Sequence, residues 1–437
     1  MARELKADER GITYAAMAGF NTQAIVVEDP RVNFFADWVR ALDPRRLTGV
    51  SLSHVRPTPQ ERAEALRTHL RTVVHKTAAF QAGLWFYYAG DYPQAIGAFE
   101  AFRLFFPGRE VYHNLAASHH QLALQAYQAW KKDAPGLPFQ LSLAIDPMTR
   151  ASQIYLTGPT RRSPGAPAEP AALFRHHLDE AMASYRKALT YDAAYTPSAI
   201  NLGCALLMQG LHTAKHGLNP HVSEAVTTLL WALEREPTSA QILNNLGVAL
   251  LYETRPDEAR DHLLRAQMLA PTYAAPLFNL GQMAHTGGRE AEARHYWHAY
   301  EQLALRPSPG PSAEKQSAES VLGLAVGRLD SDVSQHWGKA TQSEFQVDRK
   351  TFVVATYPTG IMTLARDGEI LMLMVRDGFQ GTSGRGIAIG SEARDVLARY
   401  GAPSRRLELT HGHTWGYDVQ RIAFQLHDGK VISWLVF

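Results

Sequence analysis

The sequence predicts a mainly α-helical fold, a superhelix of stacked helical hairpins, with an α/β domain at its C-terminal end. A motif recurs after 34 residues, since Asn245-Leu246-Gly247 returns as Asn279-Leu280-Gly281. A proline-rich stretch begins at residue 306, and beyond it the apolar pattern changes from helical to alternating. A period of this length indicates helix–turn–helix units that bury their apolar faces only by stacking on neighbours.

Apolar and small residues lie at spacings of three and four in each copy, which places them on one face of each helix. In the clearest copy these are Leu243, Leu246, Gly247 and Leu250, then Ala259, Leu263 and Ala266, with Pro271 at the end. This pattern resembles the tetratricopeptide repeat. Weaker copies contain Gly83, Leu115, Ala199 and Leu277, which predicts about five units over residues 75–305.

The composition is that of a water-soluble globular chain of two to four domains. It has 437 residues, 46% of them hydrophobic, and a formal net charge of +2. Acids and bases are evenly spread, so we expect no nucleic-acid partner. No apolar run is long enough to predict a membrane span, and no signal peptide is recognised. The single cysteine, Cys204, excludes an internal disulfide and is expected to be a buried thiol.

The first residues predict an amphipathic helix in which Glu4 and Asp8 share one face. The run from Glu4 to Phe20 resembles the second metal-site helix of M48-type zinc metallopeptidases. That resemblance implies that Glu4 is a zinc ligand and that Asp8 orients a histidine ligand. It also implies that residues 1–74 are the C-terminal part of a peptidase domain, and that the natural compartment is the periplasm or cell envelope.

The HExxH motif that such a zinc site requires does not occur in this sequence. A single carboxylate does not hold zinc, so we expect no bound zinc and no peptide hydrolysis by this chain alone. Either the catalytic half precedes this sequence or lies on a partner chain, or it was lost naturally. Glu4 and Asp8 also fit an ordinary solvated helix face.

An insertion over residues 131–175 interrupts the second repeat and is too rich in proline and glycine to be helical. Its apolar patch, Leu137 to Leu143, predicts that the first half packs over the repeat groove, and the second half is expected to be a linker. Histidines lie on both sides of the insertion. Because their spacing does not suit joint chelation, a metal site is disfavoured for His113, His119, His120, His176 and His177.

Residues 306–318 are predicted to be a linker, and residues 319–437 a duplicated α+β domain. Gly323 to Gly327 returns as Gly386 to Gly390, so each half is expected to contain a short helix and about three strands. Asp367-Gly368 and Asp428-Gly429 predict hairpin turns. The second half, whose helix ends in Tyr-Gly-Ala-Pro, resembles the small domains of BamE-type outer-membrane assembly lipoproteins. His411 and His413 are expected to be exposed loop residues.

Two functional hypotheses follow. In the first, the groove binds a protein or peptide client, and asparagines on the first helices hydrogen-bond its backbone; these are Asn201, Asn244, Asn245 and Asn279. Helix-to-helix contact is the alternative role for these asparagines. In the second, the chain is part of a zinc endopeptidase in protein quality control, with Glu4 completing the metal site.

Overall fold

The computed structural model describes residues 2–20, 22, 57–131, 139–153, 169–213, 219–304, 319–322, 325–327 and 337–437. Helix α1 (Ala2–Met17) precedes ten helices arranged as hairpins. The hairpins are α2 (Pro59–Ala89) with α3 (Tyr92–Arg103), α4 (Arg109–Trp130) with α5 (Pro170–Tyr191), α6 (Thr196–Thr213) with α7 (Pro220–Arg235), α8 (Ala240–Tyr252) with α9 (Pro256–Leu269), and α10 (Ala275–Thr286) with α11 (Glu290–Ala304). Within the described residues this gives five stacked hairpins, and the predicted tetratricopeptide-repeat superhelix is confirmed.

Small residues allow the two helices of a hairpin to pack closely. A Cβ atom added to Gly247 of α8 would lie 2.7 Å from Cγ of Leu263 and 3.1 Å from the carbonyl oxygen of Ala259, both on α9. Gly203 of α6 stands in the same relation to Leu229 of α7, where that distance is also 2.7 Å. The repeated glycine is therefore required by the distance between the paired helices.

Helix α2 is a single helix of 31 residues. Thr58 and Glu61 form a capping box at its start, and Gly90 ends it with a left-handed φ of 82°. The domain boundary predicted at residue 74 falls inside this helix, so the structure does not divide the chain there. Pro170 occupies the first turn of α5 and Glu169 caps it, so the helix begins within the predicted insertion of residues 131–175.

The C-terminal region forms most of a nine-stranded sheet. Its strands are β1 (Ala144–Ile145), β2 (Thr341–Val347), β3 (Lys350–Thr356), β4 (Ile361–Arg366), β5 (Glu369–Val375), β6 (Arg405–Leu409), β7 (His413–Tyr417), β8 (Ile422–His427) and β9 (Lys430–Val436). The order is β1-β6-β7-β8-β9-β5-β4-β3-β2, and all pairs are antiparallel except β1 with β6. Two four-stranded meanders, β2–β5 and β6–β9, are thus joined edge to edge.

The two predicted Asp-Gly hairpins are confirmed, because each pair lies between adjacent antiparallel strands and has positive φ at both positions. Each half has four strands instead of the predicted three, because β2, β6 and β7 were not recognised. A short helix, α12 (Ala393–Tyr400), precedes β6. The linker 306–318 and residues 328–336 lie outside the described residues, so the matching helix predicted to end at Trp337 is described only at that residue, which is buried.

One face of the sheet packs on the first hairpin and the other is covered by α12. Phe352 of β3 meets Phe86 of α2 edge to face, with ring centroids 5.9 Å apart, within a core that also includes α1 and α3. Val396 and Tyr400 of α12 pack on the opposite face. The sheet therefore shares its core with the start of the repeat stack. None of the helices that the structure describes is both long and apolar enough to cross a membrane.

Candidate functional site

An extended segment of the chain itself, residues 139–146, lies in the groove formed by the first helices of the hairpins. The first half of the insertion was predicted to pack over the groove, and its described residues from Phe139 onward do so. Asparagines from four successive hairpins, on α10, α8, α6 and α4, contact this segment in order. The segment runs in the opposite direction to the repeats, since Gln140 lies at the last hairpin and Asp146 at the second.

Each asparagine binds both backbone groups of one residue in the segment. Its Oδ1 accepts the N–H and its Nδ2 donates to the carbonyl oxygen of the same residue. The pairs, with the two distances in that order, are Asn279 with Gln140 (2.8 and 2.9 Å), Asn245 with Ser142 (3.0 and 3.0 Å), Asn201 with Ala144 (3.1 and 2.7 Å) and Asn114 with Asp146 (3.0 and 2.8 Å). We call these four residues the asparagine ladder.

The asparagine ladder acts as a neighbouring strand would. In an extended chain the N–H and C=O of one residue point to the same edge, and those of the next residue point to the other edge. An asparagine amide supplies one acceptor and donors at a spacing that matches this pair. All four asparagines are fully buried at 0% exposure, so their amides are unavailable to solvent and are satisfied by the segment.

Asn244 has a different part from the ladder residues. Its Nδ2 donates to the carbonyl oxygen of Gln140 at 3.0 Å, and its Oδ1 accepts from Asn279 Nδ2 at 2.8 Å. It therefore contacts the segment and also joins α8 to α10, which combines the two roles considered for these asparagines. Asn114 was not predicted as a site residue. Its context, Asn114-Leu115-Ala116, matches the Asn-Leu-Gly motif with alanine as the small residue and would have identified it.

Tyrosines on the same side of the stack bind side chains of the segment. The hydroxyl of Tyr300 accepts from Gln140 Nε2 at 2.7 Å, and Tyr273 hydrogen-bonds to the Ser142 hydroxyl. Tyr195 donates to the carboxylate of Asp146. The groove therefore binds the backbone of the segment through asparagines, and it binds the side chains of Gln140, Ser142 and Asp146 through tyrosines.

His113 and Cys204 line the floor of the groove. His113 Nε2 lies 2.9 Å from the carbonyl oxygen of Ala144 and its Nδ1 lies 3.0 Å from the hydroxyl of Ser198. Burial lowers the pKa of His113 to about 4, so the ring is neutral near pH 7 and its Nε2–H donates to the segment. Cys204 is fully buried, as expected, and burial raises its thiol pKa well above the usual range.

The other edge of the segment pairs with the sheet. Ala144 and Ile145 form strand β1, which lies parallel to β6, with Ala144 opposite Glu408. The N–H of Thr410 donates to the carbonyl oxygen of Ile145 at 3.0 Å. Residues 139–146 are thus held between the repeat groove on one edge and the C-terminal sheet on the other.

The carboxylates implied by the peptidase resemblance lie on α1 and are not among the residues that contact the segment. Glu4 is exposed, and Asp8 accepts two hydrogen bonds from the guanidinium of Arg62, at 2.6 and 2.5 Å. Asp8 is thus bound by an arginine of α2. The described residues include no group of three or more His, Cys, Asp or Glu arranged to hold a metal ion, so they do not fit a zinc site.

The histidines on both sides of the insertion are packed against each other or against other groups of the core. His119 Nδ1 lies 2.9 Å from His177 Nδ1, and burial lowers their pKa values to about 3 and about 4. His120 lies 3.0 Å from the sulfur of Met208. His413 was predicted to lie in a loop because strand β7 was not recognised in the sequence, and it belongs to that strand. His411 is exposed, as expected.

The chain has a fold of the tetratricopeptide-repeat type, with the groove filled by its own residues 139–146. Solved structures similar to it include MamA from Desulfovibrio magneticus RS-1 (11% identity, 52% of this chain and 94% of that chain, TM-score 0.33). Others are a thermophilic TPR protein of Thermus thermophilus (14%, 53% and 92%, TM-score 0.37) and PilF of Pseudomonas aeruginosa (17%, 52% and 76%, TM-score 0.34). No protein-family model and no curated protein matches the chain. The M48 and BamE resemblances remain predictions from the sequence.

Proposed function

We propose that this chain is a protein-binding scaffold whose repeat groove takes up an extended polypeptide. The observation that supports the proposal is the asparagine ladder, which binds the N–H and C=O of every second residue over residues 140–146. Such contacts recognise a backbone with little dependence on its side chains, as in β-strand addition. The segment of the chain itself is a template for the client.

The chemistry of the groove favours a polypeptide over other ligands. The ladder is neutral, and its elements repeat at the two-residue period of an extended chain. The net charge of +2 is spread over 437 residues, and no basic surface of the kind that phosphate backbones require is apparent in the sequence.

The test uses a chain in which residues 139–146 are replaced by a glycine–serine sequence of equal length. The probe is a fluorescein-labelled peptide with the sequence of residues 137–148, and its binding is followed by fluorescence anisotropy. We expect saturable binding with a dissociation constant of about 10 µM or tighter. Absence of binding to a replaced chain that keeps the helical circular dichroism of the parent would refute the proposal.

Backbone reading has its own matched control. A probe N-methylated at the Ser142 position lacks the N–H that Asn245 accepts, whereas a probe N-methylated at Leu141 loses an N–H that the ladder does not bind. The first probe is expected to bind about tenfold more weakly than the second, because one hydrogen bond in a buried site is lost. Equal affinities would show that the groove recognises side chains instead.

A finer proposal concerns the larger protein in which this scaffold would act. The resemblance of residues 4–20 to M48-type peptidases supports a role as the substrate-recognition part of such an enzyme, in protein quality control of the cell envelope. The alternative is an active zinc endopeptidase whose HExxH half lies upstream or on a partner chain, with Glu4 as a ligand. An in-frame HExxH motif upstream in the genomic DNA, or stoichiometric zinc and chelator-sensitive casein cleavage by the chain together with that half, would favour the enzyme; their absence, with peptide binding intact, would favour the scaffold.

A further inference from the structure

We propose that residues 139–146 are a built-in competitor for the groove, and that a client displaces them and takes their place between the repeat stack and strand β6. This inference rests on the proposed function, because it assumes that the groove binds a polypeptide. It adds a regulatory step to that binding, since the free groove would exist only after the segment of the chain itself has left.

The contacts that hold the segment are of a kind that another chain can reproduce. Eight of them are backbone hydrogen bonds to the asparagine ladder, and they require only an extended chain with no proline at the four bonded positions. A client therefore regains these bonds as it replaces the segment. Exchange of one strand for another leaves no asparagine amide unsatisfied at the end of the process.

The side-chain contacts describe the client that fits best. The ring of Phe139 lies edge to face with Tyr252, with centroids 5.2 Å apart, and Leu141 packs against the repeat core. Seven residues after the aromatic position, the carboxylate of Asp146 accepts from Tyr195. The preferred client is therefore an extended segment with an aromatic residue, an apolar residue two places later, and a carboxylate at the far end.

Displacement is expected to begin at Phe139. Phe139 and Gln140 are half-buried, whereas Ser142, Ala144 and Asp146 are buried. Beyond the C-terminal end of the segment, the guanidinium of Arg150 lies 3.6 Å from the carboxylate of Glu110 and 3.4 Å from that of Asp192, which anchors this end. A client thus first replaces the half-buried residues Phe139 and Gln140, beside α8 and α10. It then replaces the rest of the segment in the direction of α4.

The segment also pairs with the sheet, to which the repeat helices bind directly as well: Arg405 of β6 donates to the carbonyl oxygen of Tyr88 at 2.9 Å, and Gln241 Nε2 donates to the carboxylate of Glu408 at 3.3 Å. Only two residue pairs connect β1 to β6, and the hydrogen bond from Thr410 N–H to Ile145 is the next contact along this edge. Once Ile145 leaves, Thr410 loses its acceptor, and an extended client in the groove supplies a new one with its own backbone. Client binding in the groove therefore exchanges one strand beside β6 for another.

The experiment compares the affinity of the 137–148 probe for the full chain and for two variants. Ser142→Pro removes the N–H that Asn245 accepts and weakens the internal segment without altering the groove; Ser142→Ala is the matched control that loses only the hydroxyl. We expect the probe to bind Ser142→Pro about tenfold more tightly than Ser142→Ala, because the internal competitor has lost one buried hydrogen bond. Equal affinities for the two variants would overturn the inference.

A second measurement covers the case in which Ser142→Pro fails to fold. Amide exchange at Ser142 and Ala144 of the unmodified chain is followed with and without saturating probe. Faster exchange with probe bound supports displacement, because the displaced segment loses its bonds to Asn245 and Asn201, and unchanged exchange under saturation overturns it. Failure of the proposed function is separate, since it appears as absence of probe binding to the glycine–serine chain. If that chain binds the probe no more tightly than the unmodified chain does, the groove binds polypeptides but the internal segment does not compete.

Discussion

Asn245 and Ser142 form a two-point contact in which the asparagine side chain replaces a β-strand neighbour. The Oδ1 atom of Asn245 lies 3.0 Å from the backbone nitrogen of Ser142, and its Nδ2 lies 3.0 Å from the carbonyl oxygen. Asn245 Nδ2 is also 3.1 Å from the sulfur of Cys204. Asn245 is fully buried and Ser142 nearly so, at 0% and 7% exposure, so water does not supply alternative partners.

Replacement of Asn245 by alanine should therefore destabilise the chain. It leaves the N–H and the carbonyl of Ser142 without this partner in a buried site, which costs about 1–3 kcal/mol. Asn245→Asp keeps the acceptor but loses the donor, and it is expected to destabilise as well. Urea unfolding followed by circular dichroism gives the free energies. A loss below about 0.5 kcal/mol for Asn245→Ala would mean that the segment leaves the groove at little cost.

The repeated glycine gives a second prediction. Gly247→Ala places a Cβ within 2.7 Å of Leu263 Cγ and 3.1 Å of a backbone oxygen, and should destabilise the chain by about 1–3 kcal/mol. Gly11, also inside a helix, is exposed and has nothing within 4 Å of an added Cβ. Gly11→Ala should stabilise the chain by about 0.5–1 kcal/mol, since alanine favours the helix. Similar effects of the two substitutions would argue against close packing of α8 on α9.

A buried lysine predicts a pH dependence on the alkaline side. Lys76 is 1% exposed, its Nζ donates to the carbonyl oxygen of Glu344 at 2.7 Å, and burial lowers its pKa to about 8. Between pH 8 and the ordinary lysine pKa of about 10.4 the unfolded chain binds more protons, so this residue makes stability rise with pH. The free energy of unfolding of Lys76→Met, relative to the unmodified chain, should fall by about 1–3 kcal/mol from pH 8 to pH 10. A constant difference would show that Lys76 is not desolvated.

A buried histidine predicts a dependence on the acid side. His120 is fully buried, and burial lowers its pKa to about 3. The unfolded chain takes up its proton near pH 6.5, so stability is complete above that pH and falls as the pH decreases toward 3. His120→Leu should reduce the loss of stability between pH 7.5 and pH 5 by roughly 1–2 kcal/mol. A pH dependence of His120→Leu equal to that of the unmodified chain would show that His120 is not desolvated.

Much of the fold could be predicted because the small residues that allow neighbouring helices to pack closely form a short, recurring pattern in the sequence. The glycine and alanine positions mark where paired helices approach, and they recur at a fixed interval. Strands with alternating apolar residues, such as β3 and β9, were also recognised. Strand β2 was missed because only Phe345 and Val347 of its seven residues are buried, and a mostly polar strand gives no clear period.

The candidate site was predictable only in part. The asparagines and the apolar segment were each identified from the sequence, but their contact joins distant parts of the chain that no local pattern connects. Tyr195, Tyr273 and Tyr300 were missed because their contacts to the segment are likewise set by the folded chain. The pairing of Ala144 with Glu408 across the two halves of the chain is likewise a product of the tertiary fold.

The central claim is that asparagines bind every second residue of the segment 139–146, and amide hydrogen exchange along this segment tests it most directly. Hydrogen exchange resolved to single amides should be slow at Ser142 and Ala144, whose N–H groups bind Asn245 and Asn201. Exchange at Leu141 should be faster, because its N–H points to the opposite edge. The Asn245→Ala substitution should accelerate amide exchange at Ser142 more than amide exchange at Ala144. Uniformly fast exchange over the segment, or no response of Ser142 to this substitution, would contradict the account.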